Sequence, residues 1–174
     1  MNRRVLQRFK CMLLAPILLI GACQNPGVRA PHDNPKLATF VGLLMPTKIE
    51  IQHYLTKPAD FNEDGDADGL EVILSTYDSF GDSVKCLGTF HFELHVMRMA
   101  SGDKLGKQIA HWPVEIDTGK TMIQYWDRLT HSYSFPLKLR AGTLPHGRYI
   151  LTARLITPTE QKLFDTYEFS YGGA

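Results

Sequence analysis

Apolar and polar residues alternate with a period of two over most of the chain from Lys48 onward. In Cys86–Arg98, for example, Phe90 and Phe92 fall on one face of an extended strand and His91 falls on the other. Six further segments show the same alternation or a short β-branched apolar run: Lys48–Tyr54, Leu70–Tyr77, Lys107–Ile116, Ser132–Leu139, Gly147–Thr157 and Leu163–Tyr171. Such segments are typical of strands with one face on a core and the other in water.

Clusters of turn-forming residues separate these segments, at 78–82, 101–103, 117–120 and 144–147. About seven strands with turn signals between them, within about 130 residues, predict an all-β fold: a single antiparallel β-sandwich of immunoglobulin-like architecture. The Cys…Trp…Cys spacing of true immunoglobulin domains is missing, so the prediction concerns architecture alone. One short helix or turn is expected at Thr121–Leu129.

The amino-terminal stretch follows a different pattern. Four basic residues precede the apolar run Met12–Ile20, and Gly21 and Ala22 lead directly into Cys23. This run is too short to span the roughly 30 Å hydrocarbon core of a bilayer, which takes about 20 helical residues. Its basic start, its length and its small-residue end are typical of a secretory signal.

The tetrapeptide Ile20–Cys23 (IGAC) resembles the lipobox of bacterial lipoproteins. The resemblance implies cleavage before Cys23, diacylation of its sulfur with chains such as palmitate, and acylation of the new amino terminus. We therefore expect residues 1–22 to be a lipoprotein signal peptide, with plain secretion as the alternative, and the mature chain to be attached to a membrane of the cell envelope. Gln24 stands where an aspartate would resemble an inner-membrane retention signal, so the outer membrane is expected in an organism with two membranes.

The segment 23–38 is expected to be the lipidated cysteine and a flexible tether, because it contains three prolines and few apolar groups. The remainder, 39–174, is then the sandwich domain. Cys11 leaves with the signal peptide, which makes Cys86 a buried free thiol if Cys23 is lipidated. A disulfide between Cys23 and Cys86 is the alternative if it is not.

The charge of the chain gives no reason to expect a nucleic-acid partner. The full sequence has a formal net charge of +1, and removal of residues 1–22 takes away four basic and no acidic groups, which leaves 1 − 4 = −3. Domains that bind the phosphate backbone are normally basic. Membrane attachment must therefore come from the lipid, and several acyl chains suffice for stable anchoring.

The segment Asp60–Glu71 (DFNEDGDADGLE) is similar along its whole length to the twelve-residue loop of EF-hand calcium sites. Calcium takes six to eight hard oxygens, and alternate residues of a tightly wound loop direct oxygens at one centre. The resemblance implies a calcium cofactor, a sharp turn at Gly65, and ligands at Asp60, Asn62, Asp64, Asp66 (through its carbonyl), Asp68 and Glu71.

The flanks of this loop depart from the EF-hand pattern. His53–Ala59 contains Pro58 and lacks a helical stripe, and Leu70–Tyr77 has the composition of a strand. The resemblance therefore concerns the loop alone, and Glu71 is directed differently at the start of a strand than on a helix. We expect calcium to lock the loop rather than to act as a sensor, since there are no paired helices to open. A solvated acidic turn is the alternative.

A second candidate metal site lies on one strand. His91, Glu93, His95, Met97 and Met99 share a face, and imidazole and thioether ligands suit copper or zinc. His91 and His95 alone would be about 13 Å apart at 3.3 Å per residue, which is too far for one ion. A cross-strand partner such as His111 or His131 is required.

The sequence contains no Gly-x-Ser-x-Gly elbow and no Cys/His spacing typical of a nucleophile, so an enzyme is not expected. The resulting hypothesis is a lipid-anchored, calcium-stabilised β-sandwich of the cell envelope that acts as a binding or structural module for an envelope protein or ligand. The alternative is an envelope accessory protein that handles copper or zinc. An exposed apolar patch would favour the first, and convergence of His91 or His95 with another His or Met would favour the second.

Overall fold

The computed structural model describes residues 34–99, 102–140 and 142–172. The expected signal peptide, Cys23 and most of the expected tether lie outside these residues. Two helices, α1 (Pro35–Leu44) and α2 (Gly119–Tyr125), accompany nine strands: β1 (Lys48–Ile51), β2 (Lys57–Ala59), β3 (Gly69–Tyr77), β4 (Gly88–Met97), β5 (Leu105–Ile116), β6 (Trp126–Asp127), β7 (Ser132–Lys138), β8 (Gly147–Ile156) and β9 (Lys162–Tyr171). Each of the seven expected segments overlaps a strand, and the two additional strands, β2 and β6, are only three and two residues long.

The strands form two antiparallel sheets that pack face to face, which confirms the all-β sandwich. One sheet has the order β1-β3-β7-β6, with β2 also pairing with β3, and the other has the order β5-β4-β8-β9. In immunoglobulin lettering these orders are A-B-E-D and C′-C-F-G, so the immunoglobulin-like architecture is confirmed as well. Near the start of β8, the strand F equivalent, the Tyr149 hydroxyl donates to the carbonyl of Pro145, which is the tyrosine-corner contact of such sandwiches.

Aromatic side chains fill the space between the sheets. Phe90 and Phe92 of β4 meet Phe135 of β7 with ring centroids 5.1 and 4.8 Å apart. These rings are fully buried, so the alternation seen in the sequence does place one face of each strand on the core. Tyr133 is buried among them, and its hydroxyl accepts from the backbone N–H of Cys86 at 2.8 Å and donates to its carbonyl at 3.1 Å. Cys86 is buried and has no disulfide partner among the described residues, and it precedes β4 rather than lying in it.

The helix α1 occupies part of the expected tether. Asn34 caps it by accepting from the backbone N–H groups of Lys36 and Leu37, and Pro35 supplies a fixed φ at its first turn. Within the described residues, the first helix therefore begins at Pro35, inside the segment expected to be the tether. No residue of α1 is buried. The second helix, α2, starts two residues before the expected segment, and β6 replaces the expected helical continuation at Trp126.

The sandwich has two distinct ends. Lys48, the first residue of β1, pairs with Tyr77, the last residue of β3, so the chain enters the fold beside the loop 78–87. We call this the N-terminal end, and it also carries the turn between β6 and β7. The connection between β2 and β3 lies at the opposite end, together with the β7–β8 connection and the end of β9. We call this the far end.

Candidate calcium loop, histidine pair and cleft

The connection from β2 to β3 (residues 60–68, hereafter the acidic loop) is closed at its base by hydrogen bonds. The backbone N–H of Asp68 donates to the carbonyl of Ala59 at 3.0 Å, and the N–H of Phe61 donates to Oδ1 of Asp68 at 2.8 Å. The carboxylate of Asp68 is thus turned into the loop base. These contacts join the two ends of the loop before it enters β3.

Side-chain oxygens at alternate positions wind the loop. Oδ1 of Asp60 accepts from the N–H groups of Asn62 and Glu63 at 3.2 and 2.7 Å, and Oδ2 accepts from that of Gly65 at 2.7 Å. Asn62 Oδ1 and Asp64 Oδ1 each accept from the N–H two residues ahead. The Gly65 N–H, followed by the other backbone donors, holds the pKa of the Asp60 carboxyl below its usual value. Gly65 itself has φ +100°, a conformation that residues with a Cβ rarely adopt.

The predicted ligands are only partly brought together. Glu71 lies on β3 with its Oε2 3.9 Å from Nζ of Lys57, the residue that pairs with it on β2. Within the described parts of the chain, no group of three or more His, Cys, Asp or Glu side chains is arranged to hold a metal ion. None of the ion pairs among those same residues involves Asp60, Asp64, Asp66 or Asp68. The loop carries five carboxylates, because Glu63 also lies in it, and none of them has a basic ion-pair partner there.

The acidic loop is attached to the rest of the far end through its last residues. The N–H of Ala67 donates to the Tyr171 hydroxyl of β9 at 3.0 Å. The carbonyls of Ala67 and Asp68 accept from the N–H groups of Leu144 and Leu139 at 2.6 and 2.8 Å. Residues 139–145 belong to the connection from β7 to β8, so the acidic loop holds this connection in place near both of its ends.

The same connection forms one wall of a cleft of about 630 Å³. The opposite wall is β5, an edge strand of its sheet. The lining is mixed in polarity: Gln108, Ile109, Ala110, His111, Trp112, Leu139, Arg140, Thr143 and Pro145. Trp112, one of the lining residues, is held in place by a hydrogen bond from its Nε1 to the carbonyl of Lys138 at 2.6 Å. The sequence gave no sign of the cleft, because it depends on how the two sheets pack.

On the outer face of the second sheet, the structure brings His91 next to His111. Nδ1 of His91 lies 3.3 Å from Nε2 of His111, with the rings stacked. Two nitrogens that each lie about 2.05 Å from a tetrahedral ion are about 3.3 Å apart, so the separation fits two ligands of one metal. His131, the other partner considered, lies instead against Trp126 at the N-terminal end. His95 does not join the pair, because it contacts Glu93 Oε2 and the Gly106 carbonyl.

Burial, followed by the charge of Arg154 and the neighbouring His111, lowers the pKa of His91, and Glu93 opposes this. The neutral imidazole that metals require is therefore favoured at neutral pH. Arg154 pairs directly across from His91, and its Nε is buried without a hydrogen-bond partner among the described residues. Its charge works against a cation bound at the pair.

Comparisons of the chain with protein-family models, with curated proteins and with solved structures found no match. No helix within residues 34–99, 102–140 and 142–172 is long and apolar enough to cross a membrane.

Proposed function

We propose that the protein is a lipid-anchored binding module of the cell envelope, in which calcium in the acidic loop stabilises the wall of a partner-binding cleft. The observation that carries this proposal is the pair of hydrogen bonds from Leu139 and Leu144 to the carbonyls of Asp68 and Ala67. Through them, any ion that rigidifies the acidic loop also rigidifies the connection 139–145. The membrane attachment rests on the resemblance of Ile20–Cys23 to a lipobox.

The residues of the acidic loop suit calcium in chemistry. Asp60, Asn62, Asp64, Asp68 and the carbonyl of Asp66 offer oxygen donors only, which a hard cation prefers. Glu71 could act as a calcium ligand only after its contact with Lys57 is broken. We therefore expect weak calcium binding, as in extracellular modules, with a Kd of about 10⁻⁴–10⁻³ M. Calcium would supply charge compensation for the loop.

The cleft suits a protein segment or a ligand of mixed polarity. It combines the indole of Trp112 with the guanidinium of Arg140 and the hydroxyl of Thr143. The edge position of β5 leaves backbone N–H and C=O groups available for an extended segment, a common mode of recognition at sheet edges. An envelope protein that presents such a segment is the partner class we propose.

Thermal melting of the mature chain with calcium or with a chelator tests the role of the loop. Asp64→Asn and Glu63→Gln each remove one negative charge, but only Asp64 occupies a ligand position, so Glu63→Gln is the matched control. Calcium at 100 times its Kd should stabilise the native state by about 2.7 kcal/mol. This stabilisation should be kept in Glu63→Gln and lost in Asp64→Asn. If calcium stabilised the two variants equally, the loop would be an acidic turn and not a calcium site.

A second candidate function, handling of copper or zinc, is favoured by the 3.3 Å separation of His91 and His111. Titration of the chain with each metal would show binding that is lost in His91→Ala or His111→Ala and kept in His95→Ala. Binding that survives in His91→Ala, or that depends on Asp64 instead, would exclude this function.

A further inference from the structure

The helix α1 has an apolar stripe that no part of the described chain covers. Leu37, Phe40, Val41 and Leu44 recur at the spacing i, i+3, i+4, i+7 and thus share one face. Phe40 is 58% and Leu44 is 53% exposed. The only charge in the helix is that of Lys36, and Thr39 lies on the opposite side from the stripe.

A helix of ten residues with this composition is not expected to persist alone in water. Isolated helices shorter than about 12–15 residues are marginal, and most helical stability in proteins comes from packing of the apolar face. Since the sandwich does not bury α1, a surface outside the described chain should cover the stripe.

The position of α1 in the chain identifies that surface. Between Cys23 and the cap Asn34 there are 34 − 23 = 11 residue steps. Eleven residue steps can span at most about 36–40 Å, even when fully extended. On the other side, residues 45–47 join α1 directly to β1. A lipid on Cys23 would therefore hold α1 between the bilayer and the sandwich.

The N-terminal end of the sandwich supports the same location. Phe80, in the loop after β3, is 73% exposed, and Leu129, in the turn between β6 and β7, is 93% exposed. Lys85 and Arg128 lie at this end around Trp126. Exposed apolar tips suit a surface with a hydrocarbon interior. The basic side chains can meet lipid headgroups, although Asp78, Asp82 and Asp127 lie at the same end.

We propose that α1 lies in the headgroup region of the bilayer that holds the acyl chains, with Leu37, Phe40, Val41 and Leu44 directed toward the hydrocarbon. This inference rests on the lipid anchor of the proposed function, and it assigns to α1 the task of fixing how the sandwich stands on the membrane.

The test uses the acylated full chain in vesicles of phosphatidylethanolamine and phosphatidylglycerol. A polarity-sensitive dye is attached to Phe40→Cys or Leu44→Cys on the stripe, or to Thr39→Cys on the opposite face as the matched control. Cys86 is buried, and burial raises the pKa of its thiol to about 11, so it does not compete for the dye. Flotation of the vesicles reports the anchor, and quenching of the dye by aqueous iodide reports α1.

Apolar faces of interfacial helices sit about 5–10 Å below the headgroup boundary, so the quenching constant at Phe40 and Leu44 should be at least about threefold lower than at Thr39. Flotation with equal quenching at all three positions would overturn the inference and leave the anchor intact. Shielding that disappears when the protein is diluted in lipid would mean that a second copy covers α1, which also overturns it. A protein that does not float with the vesicles has no lipid anchor, and this result would overturn both the anchor and the inference.

Discussion

The hydroxyl of Tyr171 should couple the acidic loop to the sandwich, and Tyr171→Phe removes this group alone. The hydroxyl accepts from the N–H of Ala67 at 3.0 Å, and Ala67 is only 5% exposed. The ring of Tyr171 packs edge-on against His146 with centroids 5.2 Å apart, and phenylalanine keeps this contact. The substitution therefore tests one hydrogen bond and little else.

A buried donor left without its acceptor costs about 1–3 kcal/mol. Ala67 lies at the edge of the core, so we expect the free energy of unfolding to fall by an amount in the lower part of this range, about 1–2 kcal/mol. For a domain of this size that corresponds to a fall in melting temperature of roughly 3–8 °C. The calcium concentration needed for half of the stabilisation should also rise, because the released loop must be ordered when the ion binds.

The assay is thermal melting followed by near-ultraviolet circular dichroism, over a series of calcium concentrations. Tyr125→Phe is the control, because no hydrogen bond of the Tyr125 hydroxyl is seen within the described residues, and its ring also packs on the core. A loss below about 0.5 kcal/mol, or an equal loss in both variants, would refute the coupling between the loop and β9.

Three further outcomes are expected. Tyr149→Phe, which removes the tyrosine-corner hydrogen bond, should cost about 1–2 kcal/mol in urea denaturation, and an unchanged midpoint would contradict this. Gly65→Ala should cost about 1–2 kcal/mol because of its positive φ, whereas Gly119→Ala, which is equally open but has no such φ, should cost less. The depressed pKa of Asp60 means that its contribution is present above the unfolded value of 3.8 and is lost as pH falls through the lower folded value. Melting temperatures of Asp60→Asn should therefore fall less steeply below about pH 4 than those of the parent chain, and parallel curves would refute this.

The strands could be predicted from the sequence wherever burial itself produces the pattern. β4 and β8 alternate because one face meets the core, and their bounds differ from the expected ones by no more than two residues. β2 and β6 have no such pattern of their own. They pair only because β3 and β7 pass beside them, so local sequence cannot predict them.

The helix α1 was missed although its signals are present. Asn34 before Pro35 is a common helix start, and the apolar stripe from Leu37 to Leu44 has helical spacing. The prolines of the preceding segment suggested a tether that continued through residue 38, which hid these signals.

The candidate sites depend on contacts between distant segments to different degrees. The acidic loop is local, so its turn at Gly65 and the winding by Asp60 follow from a short run of sequence. The contact of His91 with His111 depends on the register of β4 against β5, and the cleft depends on how β5 faces the connection 139–145. Register and sheet packing are set by the whole fold, which explains why the sequence could offer His111 only as one of two possible partners, beside His131.

The separation of the two ends determines how the molecule would carry mechanical load. A partner held near the far end and an anchor attached before β1 would pull in opposite directions along the strands. The hydrogen bonds between β1 and β3 run perpendicular to the strands. A force along the strands would therefore load all of these hydrogen bonds at the same time, rather than break them one after another. A hydrogen bond from the Ile51 N–H to Oδ2 of Asp165 in the other sheet, at 2.7 Å, further holds the short strand β1 against sliding along β3.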